Sequence, residues 1–175
     1  GYQAVLSYRL ASWFHGRGIP VLGPLVARLG LLVTGVDISP AAVVGPGLRI
    51  AHGQGIVVGG SVRMGRNVLL LQQVTLGGKS PRTVEAMPTI GDNVMIGAGA
   101  RVLGSVVIGS GSFIGANAVV ARDIPPRSKV VSAAGLEVTT RAAEASDAAA
   151  VGGGESGVRD EASPNRPASG TIERP

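Results

Sequence analysis

From Ile38 to Ile124 an aliphatic side chain keeps returning at every sixth position. Ile38, Val44, Ile50, Ile56, Val62, Val68 and Val74 form one run, and Ile90, Ile96, Val102, Ile108, Ile114 and Val120 form a second. A period of six matches neither the 3.6 of a helix nor the 2 of a lone strand, so the repeating unit is a larger one that closes on itself. Four residues after many of these aliphatics a second small or apolar residue recurs, at Ala42, Leu48, Val94, Ala100, Val106, Ser112, Ala118 and Ile124. Gly follows the aliphatic directly in Val44-Gly45, Ile90-Gly91, Ile96-Gly97, Ile108-Gly109 and Ile114-Gly115. Each hexad therefore reads as a short strand and a sharp corner, with Gly supplying positive φ at the corner. Three such faces make a triangular coil, and stacked coils pair as parallel strands about 4.8 Å apart around columns of aliphatic side chains.

The flanks follow other patterns. In Tyr2–Phe14 the apolar residues Val5, Leu6, Leu10, Trp13 and Phe14 fall at helical spacing, which predicts a helix burying that stripe. Gly16, Gly18 and Pro20 break it, and Val21, Leu22, Leu25, Val26, Leu29, Leu32 and Val33 predict a second helix. Arg28, Pro24 and several glycines interrupt this apolar run, whereas a span needs ~18–20 clean residues, so a helical cap over the first coil is expected instead of a membrane span. No secretory signal is evident, and the chain begins at Gly1. Val74 and Ile90 are 16 residues apart, which reads as two hexads plus four extra residues. The turn formers Gly77-Gly78-Lys79-Ser80-Pro81-Arg82 mark the surplus as an outward loop over residues 77–88. Beyond Val131 the repeat stops, and residues 132–175, almost without large apolar residues, read as a disordered tail. The expected organisation is thus a helical segment 1–36, a coil domain 37–131 and the tail.

Composition narrows the function classes. Aromatic content of 3% beside 45% hydrophobic suits a solenoid too narrow for rings. Without cysteine there is no disulfide framework, thiolate metal site or cysteine nucleophile, and a reducing cytoplasm suits the chain. The net charge of +5 comes from 16 scattered basic residues, which argues for an anionic small molecule and against nucleic acid or a membrane surface.

The segment IGDNVMIGAGARVLGSVVIGSGSFIGANAVVARDIPP resembles the hexapeptide-repeat acyltransferases, whose fold is a left-handed parallel β-helix, an all-β solenoid. Within that family VDISPAAVVGPGLRIAHGQGIVVGGSVRMGRNVLLLQQVTLGGKS is most similar to serine acetyltransferases. The resemblance covers residues 2–131 and implies a homotrimer that transfers acetyl from acetyl-CoA to the hydroxyl of L-serine, giving O-acetylserine for cysteine biosynthesis. It also carries a short helical N-terminus where relatives commonly have a longer helical domain.

Only two histidines exist, His15 and His52. His15 reads as a surface residue at a helix end. His52 lies at an outward, corner-like place two positions after Ile50, and the resemblance gives it the catalytic role, with Asp37, fifteen residues earlier, as its partner carboxylate. Imidazole, with a pKa of ~6.5 in model peptides, suits a base that strips an alcohol of its proton as it attacks a thioester. The resemblance assigns the cofactor groove to Gly78, Ala98, Ala116, Ala121 and Arg122, with Arg127 or Lys129 as further cations for phosphate. No metal is implied. Relatives carry an Arg-His pair before a proline at the loop end and an aspartate before the catalytic histidine. Here these places read Ala86-Met87-Pro88 and Ala51. Arg82 is the candidate replacement for the lost arginine. The same losses open an alternative, acetylation of a sugar or polysaccharide precursor. The usual closing Ala-Gly-Val-Pro-Ala is Ala134-Gly135-Leu136-Glu137 instead. A γ-type carbonic anhydrase needs three histidines for zinc and is excluded by the count, while a non-catalytic scaffold would need neither His52 nor Asp37.

Overall fold

The computed structural model describes residues 1–80 and 87–132 together with a strand over Leu136–Thr140. Two helices, α1 (Tyr2–Gly16) and α2 (Leu22–Thr34), precede the coils. The first coil is β1 (Val36–Ile38), β2 (Val43–Val44) and β3 (Arg49–Ile50), and the second is β4 (Ile56–Val58), β5 (Arg63–Met64) and β6 (Leu69–Leu70). The third is β7 (Thr75–Gly77), β8 (Thr89–Ile90) and β9 (Met95–Ile96), and the fourth is β10 (Arg101–Leu103), β11 (Val107–Ile108) and β12 (Phe113–Ile114). Then follow β13 (Val119–Val120), β14 (Ser128–Ser132) and β15 (Leu136–Thr140). Every coil contributes one strand to each of three parallel sheets, ordered β1-β4-β7-β10-β13, β2-β5-β8-β11 and β3-β6-β9-β12-β14. The chain is the parallel β-helix that the six-residue period predicts, with a helical N-terminus.

The inward columns are as dry as the period requires. Ile56, Val62, Val68, Val74, Ile96, Val102, Ile108, Ile114 and Val120 are fully buried, and the second members, from Ala42 and Leu48 through Val94, Ala100, Val106, Ser112, Ala118 and Ile124, are buried with them. At roughly 1.5–3 kcal/mol for each large aliphatic removed from water, these columns hold the coils together.

The spacing hides two irregularities. Partners in neighbouring coils are 18 residues apart where the repeat is undisturbed, as in Thr89 opposite Val107. Val36 lies opposite Ile56, however, 20 residues on, so the first coil carries two extra residues between β3 and β4. The aliphatic count runs through them unbroken. An insertion of two moves the phase from the second inward position of each pair to the first, and both positions are apolar. Arg63 lies opposite Thr89, a separation of 26, so the loop between β7 and β8 holds eight surplus residues instead of the four that counting from Val74 to Ile90 suggests. The same phase shift accounts for the discrepancy. Residues 81–86 of this loop lie outside the described residues.

The glycines after the aliphatics serve a different purpose from the one expected. Gly45, Gly91, Gly97, Gly109 and Gly115 do not have positive φ. They lie where the next coil passes: a Cβ on Gly97 would sit 2.6 Å from Ala116 N, and one on Gly91 2.6 Å from Ser110 Oγ. The left-handed corner positions form two columns instead, Gly35, Gly55, Gln73, Gly99 and Asn117 on one edge and Gly47, Asn67, Asn93, Gly111 and Arg127 on another. Asn supplies positive φ nearly as well as Gly.

The helices do cap the first coil, but with another face. The buried residues of α1 are Ala4, Tyr8 and Ala11, while Leu6, Leu10 and Trp13 are exposed. Tyr8 Oη donates to Ala42 O at 2.6 Å, and Arg9 donates to the carbonyls of Val44 and Gly45. Small residues let the helix approach, and two long polar side chains take up carbonyls that a further coil would otherwise meet. In α2 the buried residues are Gly23 and Gly30. Among the described residues no helix is long and apolar enough to cross a membrane.

At the other end Leu136–Thr140 lies within the stretch read as tail, yet it pairs antiparallel with β14. Its two threonines and one valine are good strand formers. The rest of that stretch, 133–135 and 141–175, lies outside the described residues.

Candidate active site

The two-residue insertion after Ile50 builds the turn Ala51–Gly55, and His52 is its most exceptional member. It has φ 55°, and among the described residues it is the only one bearing a side chain that has positive φ outside the two corner columns. Its carbonyl accepts from Gln54 N–H at 2.7 Å, which closes the turn. Gly53 lies directly on the first coil, since a Cβ there would sit 2.7 Å from Val36 Cγ2 and 3.0 Å from Ile50 Cγ2. The turn is thus seated on β1, next to Asp37, while the imidazole stays exposed. His52, Gly53, Gln54, Gln72 and Gln73 line an open cleft of ≈ 470 Å³.

Asp37 is in the middle of β1 with its side chain outward, in register with Val57. Because the coil has 20 residues, His52 comes five residues before the residue that stacks on Asp37. No hydrogen bond joins the two side chains among the described residues. Asp37 lines a different cleft, of ≈ 240 Å³, between α2 and the coil with Arg28, Leu31 and Ser39.

The candidate cofactor residues fall on two edges of the β1-β4-β7-β10-β13 sheet. Along the edge before it, Gln73 N–H donates to Gln54 O, Gly99 N–H to Gln72 O and Asn117 N–H to Ala98 O, at 2.9, 2.9 and 2.8 Å. Ala98 and Ala116 are therefore on the same edge as the His52 cleft, one coil apart. Along the edge after the sheet, Gly104 N–H donates to Gly77 O at 2.8 Å, and Lys79 Nζ crosses Gly104 to donate to Ala121 O at 3.0 Å. That contact brings Gly78 together with Ala121 and the exposed Arg122, which has no hydrogen-bond or ion-pair partner among the described residues. Arg127 is on the third edge and Lys129 on a different sheet, so neither joins Arg122. Arg82 and Ala86 lie outside the described residues. Among the described residues no cluster of His, Asp or Glu can hold a metal ion.

A family profile described as Bacterial transferase hexapeptide (six repeats) matches residues 87–122. The serine acetyltransferase of Helicobacter pylori strain J99 is 40% identical over 139 residues, which make up 79% of this chain and 81% of that protein. This chain belongs to the serine acetyltransferase family. Among solved structures, soybean serine acetyltransferase complexed with serine superposes with a TM-score of 0.74 at 38% identity, over 78% of this chain and 56% of that one. Serine acetyltransferase from Brucella abortus strain S19 in complex with coenzyme A does so with a TM-score of 0.74 at 33% identity, over 78% and 54%. The chain spans 55% and 59% of the length of the first two curated serine acetyltransferases it matches.

Against that family pattern the loop end is altered in a definite way. Met87 packs against the core cluster, its sulfur accepts from Ser61 N–H at 3.3 Å, and it fills the space above Gly59. Where serine acetyltransferases have a polar histidine, this chain has an apolar side chain folded onto the second coil. Sequence reasoning found His52 but missed Gly53, Gln54 and Gln72. Their signal was the change in which inward position is aliphatic: after Ile50 the second position is filled by Val58, Met64, Leu70 and Leu76, a slip that marks where the chain bulges outward.

Proposed function

We propose that this chain is an acetyl-CoA-dependent O-acetyltransferase that acetylates the hydroxyl of L-serine. The observation that carries the reading is the position of His52: an exposed imidazole on an insertion that interrupts an otherwise regular solenoid, at a cleft on the edge that also bears Ala98 and Ala116. His52 takes the hydroxyl proton as the oxygen attacks the thioester carbonyl. The tetrahedral oxyanion collapses, the C–S bond breaks, and the protonated imidazole returns its proton to the CoA thiolate. Asp37 orients the ring through one nitrogen when the site is assembled. Ala98 and Ala116 allow the pantetheine arm close to main chain, and Gly78, Ala121 and Arg122 receive the phosphate-bearing end, Arg122 as the uncommitted cation.

The His52 cleft and the departure point of loop 77–88 lie on opposite edges of one sheet. That separation supports a homotrimer in which a neighbouring copy brings its loop, with Arg82, to the cleft. A cytoplasmic location accords with the absence of cysteine. A second reading, a sugar hydroxyl as acceptor, is favoured by Met87, which offers no charge to a carboxylate, and by Ala51 beside His52.

The test is CoA release from acetyl-CoA, followed with a thiol reagent across L-serine, homoserine and sugars, for wild type and His52→Ala. Serine-dependent release that falls by roughly 10²–10⁴ in the variant is expected. Release with sugars alone would transfer the chain to the second reading, and none with any acceptor would leave a non-catalytic scaffold.

A further inference from the structure

The side-chain oxygen Oε1 of Gln72 is buried without a hydrogen-bond partner. Ser128 Oγ is the other such atom among the described residues, but Gln72 alone lines the cleft with His52. An unpaired buried amide oxygen works against folding, and proteins normally satisfy it. The backbone donors beside it are committed elsewhere: Leu71 N–H donates to Ile96 O at 3.1 Å and Gln73 N–H to Gln54 O at 2.9 Å. Its own carbonyl already accepts from Gly99 N–H at 2.9 Å, so the backbone of Gln72 is held in the ladder while its amide is not.

We infer that Gln72 binds the acceptor: its carboxamide oxygen receives a hydrogen bond from a second donor on the acceptor, carried next to the hydroxyl that His52 deprotonates. This inference rests on the transferase reading and narrows its substrate class. The acceptor is a hydroxyl compound with an N–H or O–H donor on a neighbouring carbon, a chemistry shared by an amino alcohol such as serine and by a sugar with vicinal hydroxyls. A neutral amide suits this task where Ala51 brings no carboxylate, because it accepts from an ammonium without leaving a buried charge in the empty cleft. The last torsion of a glutamine is broad, so the oxygen turns toward the cleft at little cost.

Gln72→Leu keeps the volume and deletes the amide. The expected result is an unchanged or raised melting temperature, an unchanged KM for acetyl-CoA, and a kcat/KM for the acceptor lower by roughly tenfold to a hundredfold. Acceptor pairs identify the donor: L-serine against 3-hydroxypropanoate, which lacks the ammonium, and a sugar against its analogue lacking the vicinal hydroxyl. For the correct pair, deleting the donor and deleting the amide together cost little more than either alone. Calorimetric titration of the same acceptors into His52→Ala, with and without Gln72→Leu, reads binding without turnover. Binding weakened by Gln72→Leu in a protein whose wild type shows no turnover would sink the acetyl-transfer reading and leave the Gln72 assignment standing. Acceptor binding indifferent to Gln72→Leu, no acceptor bound at all, or a lowered melting temperature with equal losses toward both substrates would overturn it.

Discussion

Gly53→Ala tests whether the seating of the His52 turn matters to chemistry. The added Cβ would stand 2.7 Å from Val36 Cγ2 and 3.0 Å from Ile50 Cγ2, against the ~3.5–4.0 Å at which carbon atoms pack without repulsion. The φ of Gly53 is not in the left-handed region, so the perturbation is steric and local. Val36 is buried in β1 and cannot swing away freely, so the turn has to rise off the coil by something approaching 1 Å. Overpacking of this kind costs about 1–3 kcal/mol, which for a chain of this size is a fall of roughly 2–10 °C in melting temperature. The effect on rate is the larger one, since displacing a catalytic group by about 1 Å can cost 10²-fold. Circular dichroism melting and acceptor kcat/KM are measured on the same preparation. A variant that melts lower but turns over at the wild-type rate would refute the argument, because it would mean that the position of His52 on the first coil is irrelevant to the reaction.

Two further substitutions separate the solenoid from the site. Leu70→Ala removes a fully buried side chain stacked between Ile50 and Ile96, and should cost about 2–5 kcal/mol in thermal or denaturant unfolding while leaving both KM values unchanged. Arg122→Ala removes an exposed cation without a partner among the described residues. It should leave stability within about 0.5 kcal/mol and raise the KM for acetyl-CoA several-fold, an effect that shrinks with added salt.

The fold was legible because its determinant is one-dimensional. A coil that buries two residues in six writes its period directly into the chain, and columns such as Ile96, Ile114 and Val130 follow from it. What the period does not encode is what happens between rungs. Whether Gly97 is small for the sake of a dihedral or for the passage of Ala116 depends on the neighbouring coil. The α1 face that docks depends on the carbonyls of Ala42 and Val44 awaiting donors, which outweigh the larger apolar residues Leu6 and Leu10. At the site, the identity of His52 was visible through family resemblance, but its cleft was not, because the insertion that creates it shifts the phase by the one amount that keeps the aliphatic count intact.

That coincidence bears on how a regular scaffold comes to hold chemistry. On an undisturbed rung every outward position has a counterpart a coil above and below, and main-chain groups at the corners are consumed by the ladder, as the bonds along Gln54, Gln72 and Ala98 illustrate. A ladder of this sort offers grooves and close backbone, which suits an extended cofactor arm, but no place that differs from its neighbours. The departures supply the difference. Two extra residues lift His52 out of the corner columns, and eight extra residues send the 77–88 loop away from the opposite edge of the same sheet. Only side chains at the departures escape the translational sameness of the coils, so acceptor selection belongs there and at the rung that faces them, while the repeats between set the distance.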